Sequence, residues 1–106
     1  MRQQTSFIFD LDGTLTDSVY QNVFAWKTAL DSEDIPLAMW RIHRKIGMSG
    51  GLMLKTLARE TGLEIKSDQA KRLSDKHDKA YKDLQGQITA LPGAVELLDT
   101  LNRNQL

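Results

Sequence analysis

The chain has 106 residues, enough for one small domain, and 41% of them are hydrophobic, a fraction too high for a disordered protein. Lys and Arg together number 14, as do Asp and Glu, so the formal net charge is zero and the chain has no bulk attraction for nucleic acid or an anionic membrane. The absence of cysteine excludes disulfides, thiolate metal sites and cysteine nucleophiles.

No stretch of the sequence approaches the roughly 20 apolar residues that a membrane helix requires. The apolar run Phe7–Phe9 is too short for a signal peptide. We therefore expect a cytoplasmic protein without nucleic-acid or membrane partners. The sequence carries no indication of an oligomeric state.

The first predicted element is a strand over Thr5–Phe9. Its consecutive apolar residues, without alternation, are typical of a strand that is covered on both faces. Residues 10–17 are polar and contain Gly13, which predicts a loop. A helix is predicted to open at Ser18, whose spacing to Gln21 suits a capping box.

Four more helices follow in the pattern. The second is predicted over about 37–45, and the third over 52–61 with Gly62 placed to end it. Ser67 can cap the fourth helix, and Pro92-Gly93 precedes the fifth. The predicted organisation is therefore one strand, a four-helix insert and one further helix.

A strand covered on both faces needs neighbouring strands, because unpaired backbone groups are costly when buried. No other segment of the sequence is a convincing strand, and the last helix runs almost to Leu106. We expect the rest of the sheet, and much of any active site, to lie beyond Leu106 in a longer parent protein or in another chain.

Two carboxylates follow the predicted strand. Asp10 and Asp12 are two residues apart, so in an extended segment their side chains point the same way. Such a pair suits either a metal site or a division into nucleophile and acid, and hard oxygen ligands favour Mg²⁺. Gly13 allows a close approach of the backbone to a ligand, and the amide groups after it can face an anion. The alternative interpretation of Asp10 and Asp12, without a functional role, is a solvated turn after an edge strand.

The segment Asp10-Leu11-Asp12-Gly13-Thr14-Leu15 resembles the first motif of the haloacid dehalogenase (HAD) superfamily, DxDGT followed by an apolar residue. The resemblance extends over the whole chain. It implies an α/β fold with a Rossmann-like core, in which residues 1–15 form the first strand and catalytic loop. Residues 16–87 are similar to the four-helix C1 cap of the superfamily. Residues 88–106 would return to the core, of which only this strand and one helix are present.

The resemblance also implies residue roles. Asp10 would be the nucleophile that forms an aspartyl-phosphate, and Asp12 the general acid and base. Mg²⁺ would be held by the Asp10 carboxylate and the Asp12 backbone carbonyl, and Gly13 and Thr14 would help to bind phosphate. The presence of Asp12 favours phosphate esters over dehalogenase or phosphonatase chemistry, whose branches generally lack it. The expected substrate is a small phosphorylated metabolite.

The other superfamily motifs are a Ser or Thr after the next core strand, a Lys and an acidic pair. None of them can be placed in this sequence. We therefore expect the 106-residue chain alone to be inactive and to bind magnesium weakly. Turnover of p-nitrophenyl phosphate by the isolated chain would contradict this.

A glycine-rich segment within the insert, residues 46–51, would by this resemblance be the substrate-selecting loop that C1 caps carry in the matching place. This segment can also be interpreted as a flexible turn between helices. The cations before it can likewise be interpreted as part of a solvated helix face. The candidate substrate contacts of this region are Arg44, Lys45, Gly47, Ser49 and Gly50.

Two other functions stay open. A phosphosugar mutase of similar cap type would need the cap loop to hold a second phosphate, although residues 47–51 carry no cation. A non-catalytic binding or regulatory fragment is the other alternative. The isolated histidines and the tryptophans of the insert are interpreted as packing or surface residues; they are His43, His77, Trp26 and Trp40.

Overall fold

The computed structural model of the chain describes residues 4–104. They form five α-helices, one 3₁₀ turn and two short strands, which fall into two compact units. One unit consists of the described residues up to Ser18 and from Ile88 onward, and the other of Val19–Gln87. In chain order the elements are β1 (Thr16–Asp17), α1 (Val19–Ser32), α2 (Met39–His43), α3 (Gly50–Thr61), α4 (Ser67–Leu84), the 3₁₀ turn (Gln85–Gln87), β2 (Thr89–Ala90) and α5 (Ala94–Arg103).

The unit Val19–Gln87 is a helical domain with its own apolar core. In α1, Val23, Trp26 and Leu30 recur at helical spacing and are buried, so they line one face of the helix. This face packs mainly against α4, while α2 packs on α1 and α3 on α4. The buried core consists of Val23, Trp26, Ala29, Leu30, Ile35, Leu37, Ile42, Met53, Leu54, Leu57 and Leu73.

Replacing Leu57 by alanine is expected to destabilise this unit. The Leu57 side chain is fully buried, and its removal leaves a cavity, which typically costs about 2–5 kcal/mol of unfolding free energy. Leu52 lies on the same helix but is 53% exposed, so Leu52→Ala should change stability by less than about 0.5 kcal/mol. Urea unfolding followed by Trp fluorescence measures both variants, and equal losses would contradict the assignment of the core.

The helix boundaries agree with the sequence patterns in most places. Gly62 follows α3 with φ of 73°, the left-handed conformation in which glycine commonly ends a helix, as predicted. The helix α2 is shorter than the predicted span of about 37–45, since it covers only Met39–His43. Ser67 is the first residue of α4 and not its cap, because the capping position is Lys66 and has no side-chain cap bond. Among residues 4–104, no helix is both long and apolar enough to cross a membrane.

The other unit contains the only regular sheet of the described residues. Its strands β1 and β2 are antiparallel, with Thr16 opposite Ala90 and Asp17 opposite Thr89. The Leu91 amide also donates to the Leu15 carbonyl at 2.9 Å. This pairing was not predicted, because two-residue strands are too short to leave an alternating pattern in the sequence.

The strand predicted over Thr5–Phe9 is not formed, since residues 4–10 have no regular secondary structure. Phe7 is 49% exposed and Ile8 is 96% exposed, so neither side chain is buried as the apolar run predicted. The physical reason is that a strand exists through its hydrogen-bonded neighbours, and none of the described residues pairs with this segment. The prediction of a strand was therefore wrong for this chain taken alone.

The helix α5 leaves much of its apolar surface open. Val95, Leu97 and Leu98 are between 42 and 53% exposed, whereas Ala94 is buried. Within the described part of this unit, only Ser18 and Ala94 are buried. The unit therefore has almost no apolar core of its own, and its exposed leucines form the kind of surface that normally packs against further protein.

Candidate active site

The carboxylate loop, residues 10–17, is closed by hydrogen bonds within its own backbone. Three amides, those of Thr14, Leu15 and Thr16, donate to the Leu11 carbonyl at 3.0 to 3.2 Å, and the Gly13 amide donates to the Thr16 carbonyl at 2.9 Å. These bonds fold the loop into a tight turn between Asp12 and β1. They also mean that the amides of Gly13 and Thr14 are engaged inside the loop in this structure.

Gly13 has a conformational reason to be glycine. Its φ is 77°, in the left-handed region where a side chain is unfavourable. The turn that follows Asp12 depends on this residue, which explains the position of glycine directly after the second aspartate. Gly13 and Thr14 are both exposed, so their outer surfaces remain available to a ligand.

The Asp12 carboxylate is held by a serine that the sequence did not single out for function. The Ser18 hydroxyl donates to Asp12 Oδ1 at 2.5 Å, and the Ser18 side chain is buried. Thr16 Oγ1 lies 2.7 Å from Ser18 Oγ and 3.2 Å from the Leu11 carbonyl oxygen. Because Ser18 gives its single proton to Asp12, the single hydroxyl proton of Thr16 is shared between two acceptors, Ser18 Oγ and the Leu11 carbonyl oxygen. Ser18, predicted as a helix cap, therefore orients the second carboxylate.

The two aspartates have different surroundings. Asp10 is exposed, whereas Asp12 is half-buried and one of its carboxylate oxygens is occupied by Ser18. One carboxylate is thus open to solvent and the other is fixed in place. This difference suits a nucleophile and an acid–base group, because a proton donor must be held at a defined position.

The loop could supply only part of a metal site. Its donors are hard oxygen atoms of the kind that Mg²⁺ prefers, from the Asp10 carboxylate and the Asp12 backbone carbonyl. The bond from Ser18 to Asp12 is compatible with the use of the Asp12 carbonyl and not its carboxylate as a ligand. Within residues 4–104, no group of three or more His, Asp or Glu side chains could hold a metal ion. The donors fit Mg²⁺ in type but do not complete its coordination.

If Asp12 is the acid–base group that the sequence predicts, removal of the Ser18 hydroxyl should weaken it in that role. A hydrogen bond to a charged group is worth about 1.5–3 kcal/mol, so Ser18→Ala should lower kcat of the full-length protein by roughly ten- to a hundredfold, with little change in KM. Ser18→Thr keeps the hydroxyl and should recover most of the rate. Steady-state kinetics of both variants on one phosphate ester test this, and an unchanged kcat in Ser18→Ala would refute the role.

The predicted cap residues all lie in the helical unit. Lys45 is already paired, because its Nζ donates to Glu60 Oε1 at 2.6 Å. This bond, together with the charges of Lys45, Arg41 and Arg44, lowers the pKa of Glu60, against an opposing contribution from desolvation. Arg44 is exposed, and its guanidinium carbon lies 5.9 Å from the centroid of the Trp40 ring.

The glycine-rich segment is a turn between α2 and α3. Gly47 is exposed with φ of 106°, and Ser49 precedes α3 without a side-chain cap bond. Gly50, the first residue of α3, is half-buried and lies against the Trp26 ring. Of the predicted loop residues, Gly50 is therefore the one in close contact with the helical core.

The fold and the carboxylate loop define a class of protein. The chain belongs to the haloacid dehalogenase-like hydrolase family, whose family profile matches residues 5–106. Its fold is α/β and corresponds to part of a HAD-like hydrolase.

Two known proteins are similar to this chain over nearly all of its length. The crystal structure of a hydrolase from Pseudomonas syringae is 77% identical and matches with a TM-score of 0.92, over 97% of this chain and 47% of that one. The beta-phosphoglucomutase of Bacillus subtilis (strain 168) is 31% identical over 104 residues, which cover 93% of this chain and 46% of that protein. The chain spans about half the length of both relatives.

Proposed function

We propose that this chain is the amino-terminal part of a Mg²⁺-dependent phosphatase that hydrolyses a small phosphorylated metabolite. The observation that carries the proposal is the loop itself: an exposed Asp10 is followed two residues later by Asp12, whose carboxylate is bonded to the buried Ser18. Membership of a hydrolase family agrees with this chemistry.

In the proposed reaction, an Asp10 carboxylate oxygen attacks phosphorus, and the bond from phosphorus to the leaving oxygen breaks. Asp12, protonated at this stage, gives its proton to that oxygen. The Asp12 carboxylate then takes a proton from water, whose oxygen attacks the phosphorus of the aspartyl-phosphate. Inorganic phosphate leaves, and the carboxylate of Asp10 is restored.

The Asp10 carboxylate and the Asp12 carbonyl would hold Mg²⁺, with further ligands from the rest of the parent protein. The chemistry supplied by the bound ion is neutralisation of the repulsion between the attacking carboxylate and the phosphate oxygens. Ser18 would keep Asp12 oriented throughout. Because the remaining parts of the site are expected outside these residues, we propose that the 106-residue chain alone is inactive.

A phosphosugar mutase is the second candidate, and the likeness to a beta-phosphoglucomutase favours it. The two functions differ in where the phosphoryl group goes. A phosphatase passes it to water, whereas a mutase returns it to another hydroxyl of the sugar, which requires the cap to hold a second phosphate.

The test is the fate of phosphate with the full-length protein and Mg²⁺. We expect one inorganic phosphate to be released for each molecule of sugar phosphate, or of another small phosphate ester, that is consumed. Phosphorus NMR on the same reactions detects isomerised sugar phosphate. Conversion to an isomer without release of phosphate would replace the phosphatase by the mutase.

A further inference from the structure

The helical unit has an open groove of about 570 Å³ between α3 and the start of α4, the α3–α4 groove. One side is a single face of α3, whose positions 51, 54, 55, 58 and 59 recur at helical spacing and line the groove. The other side is the connection between the two helices and the first turn of α4. The volume is within the range of small-molecule sites, roughly 300–1,000 Å³.

Much of the lining of this groove is apolar. Leu54 is buried, and Ile65 and Ala70 are half-buried against the core of the helical unit. Leu63 also lines the groove but is 38% exposed. At Gly51 an added Cβ atom would meet nothing within 4 Å, so no side chain fills the space above the leucines. Such a surface gains free energy when a ligand with an apolar body removes it from water.

Two cations line the α3 side of the groove. Lys55 and Arg59 are four residues apart on α3 and are both exposed. Among residues 4–104, neither has a carboxylate within ion-pair distance. Lys45 of the same unit, in contrast, is bonded to Glu60. The charges of Lys55 and Arg59 are therefore available to an anion that a ligand brings.

The charge of the lining selects the kind of ligand. Glu64, in the connection to α4, is exposed and places one carboxylate against the two cations, which leaves one net positive charge. This balance favours a ligand with a single negative charge over a cation. A guanidinium such as that of Arg59 binds a carboxylate through two parallel hydrogen bonds.

We propose that the α3–α4 groove binds a small amphipathic carboxylate, with its apolar chain against Leu54 and Leu63 and its carboxylate at Lys55 and Arg59. Ten residues line the groove, whereas a protein interface takes about 20–30 from each partner, so a small molecule fits better than a protein surface. The proposal does not depend on the phosphatase function, because no residue of the groove has a proposed role in catalysis.

The first experiment titrates the full-length protein with octanoate, butanoate, octan-1-ol and octylammonium, and follows the amide resonances of residues 51–70 by NMR. We expect a Kd for octanoate at least about tenfold lower than for butanoate, since four more methylene groups leave water. It should be roughly three- to tenfold lower than for octan-1-ol, which lacks the charge, and octylammonium should bind most weakly of the eight-carbon ligands. An equal Kd for the alcohol or the ammonium ion, or unchanged resonances of residues 51–70, would overturn the proposal.

The second experiment removes the charges one at a time. Lys55→Met and Arg59→Met each take away a cation but keep an apolar stem, and should weaken octanoate roughly three- to tenfold without changing the Kd of octan-1-ol. Lys71→Met is the matched control, because Lys71 is an exposed lysine of α4 that does not line the groove. Glu64→Gln should tighten octanoate by about two- to threefold. Equal effects of all three methionine variants, no effect in any, or weaker binding in Glu64→Gln would contradict the proposal.

The apolar wall is tested by Leu63→Ala. Leu52→Ala is its control, because Leu52 is an exposed leucine of α3 outside the groove. The first variant should weaken octanoate and octan-1-ol alike, by about threefold or more, and the second should weaken neither. Equal Kd values in the two variants would remove the chain of the ligand from the groove.

Two other occupants would each overturn the proposal. Sedimentation of the full-length protein reveals a dimer if one forms, and a dimer that both Leu63→Ala and Arg59→Met dissociate would make the groove an interface between two copies. An acidic, leucine-rich peptide of about 15 residues, added in competition with octanoate, tests a protein partner. Displacement of octanoate at a more than tenfold lower concentration than octanoate itself requires would assign the groove to that partner.

Discussion

Asp10→Asn in the full-length protein is expected to lower kcat for phosphate esters by at least about a thousandfold, since loss of a catalytic nucleophile typically costs this much or more. The amide has the size of the carboxylate but lacks its charge, so it neither attacks phosphorus nor neutralises a metal ion. Asp10 is exposed, and its side chain makes no hydrogen bond with the other residues of 4–104, so the fold should not change.

The control for this variant is Asp17→Asn. Asp17 is an exposed carboxylate of the same loop region, and its backbone is fixed by pairing with Thr89. Its neutralisation changes the net charge equally but removes no proposed catalytic group, so kcat should stay within about twofold of the natural protein. A similar loss in both variants would assign the effect to charge and not to a nucleophile.

Asp12→Asn is expected to lower kcat by roughly a hundred- to ten-thousandfold, the usual contribution of a general acid or base. Asparagine retains an oxygen to which the Ser18 hydroxyl can donate, so the loop should keep its conformation. The size of this decrease in kcat should depend on the leaving group of the ester. An alkyl phosphate needs a proton on its leaving oxygen, whereas p-nitrophenolate leaves without one.

Rapid mixing with p-nitrophenyl phosphate separates the two steps in this variant. The first step should be nearly normal, and the second should be slow because no base activates water. We expect a burst of p-nitrophenol close to the concentration of active sites, followed by slow turnover. A variant that loses equal rate on both kinds of ester and has no burst would remove Asp12 from the acid–base role.

The local patterns of the sequence were sufficient for the helices and for the position of the carboxylate loop. The apolar spacing of Val23, Trp26 and Leu30 predicts the buried face of α1, because a helix forms its backbone bonds within itself. Gly62 predicts the end of α3, because glycine readily adopts the left-handed conformation found there. A strand differs, since its bonds lie with distant segments. The run Thr5–Phe9 therefore looks like a strand and yet has no partner among the described residues.

The contacts that were missed are ones that helix or strand periodicity does not encode. Ser18 fits a helix cap by its spacing to Gln21, and nothing in the local pattern indicates that its hydroxyl bonds Asp12 six residues earlier. His77 meets Asn22 and Trp26 of another helix, more than fifty positions away in the chain. Periodicity identifies which face of a helix is buried but not which side chain of a second helix it meets.

The structure gives partners within the protein to the two cations that were predicted to contact substrate. Lys45 is bonded to Glu60, and Arg44 lies over Trp40. The order of residues along the chain places both cations next to the loop, whereas in the structure these two residues, which follow α2, contact Glu60 and Trp40. Their role in substrate binding remains a prediction that the kinetics of Arg44→Met would test.

The most direct test of the central claim is to trap the phosphoryl group on Asp10. The full-length Asp12→Asn variant, which should form the intermediate faster than it hydrolyses it, is mixed with p-nitrophenyl phosphate and Mg²⁺, quenched in acid, digested and analysed by mass spectrometry. The proposed mechanism predicts one added phosphoryl group on the peptide that contains Asp10, removable by hydroxylamine and absent when Asp10 is also replaced by asparagine. A p-nitrophenol burst with no adduct on that peptide, or with the adduct on another residue, would contradict it.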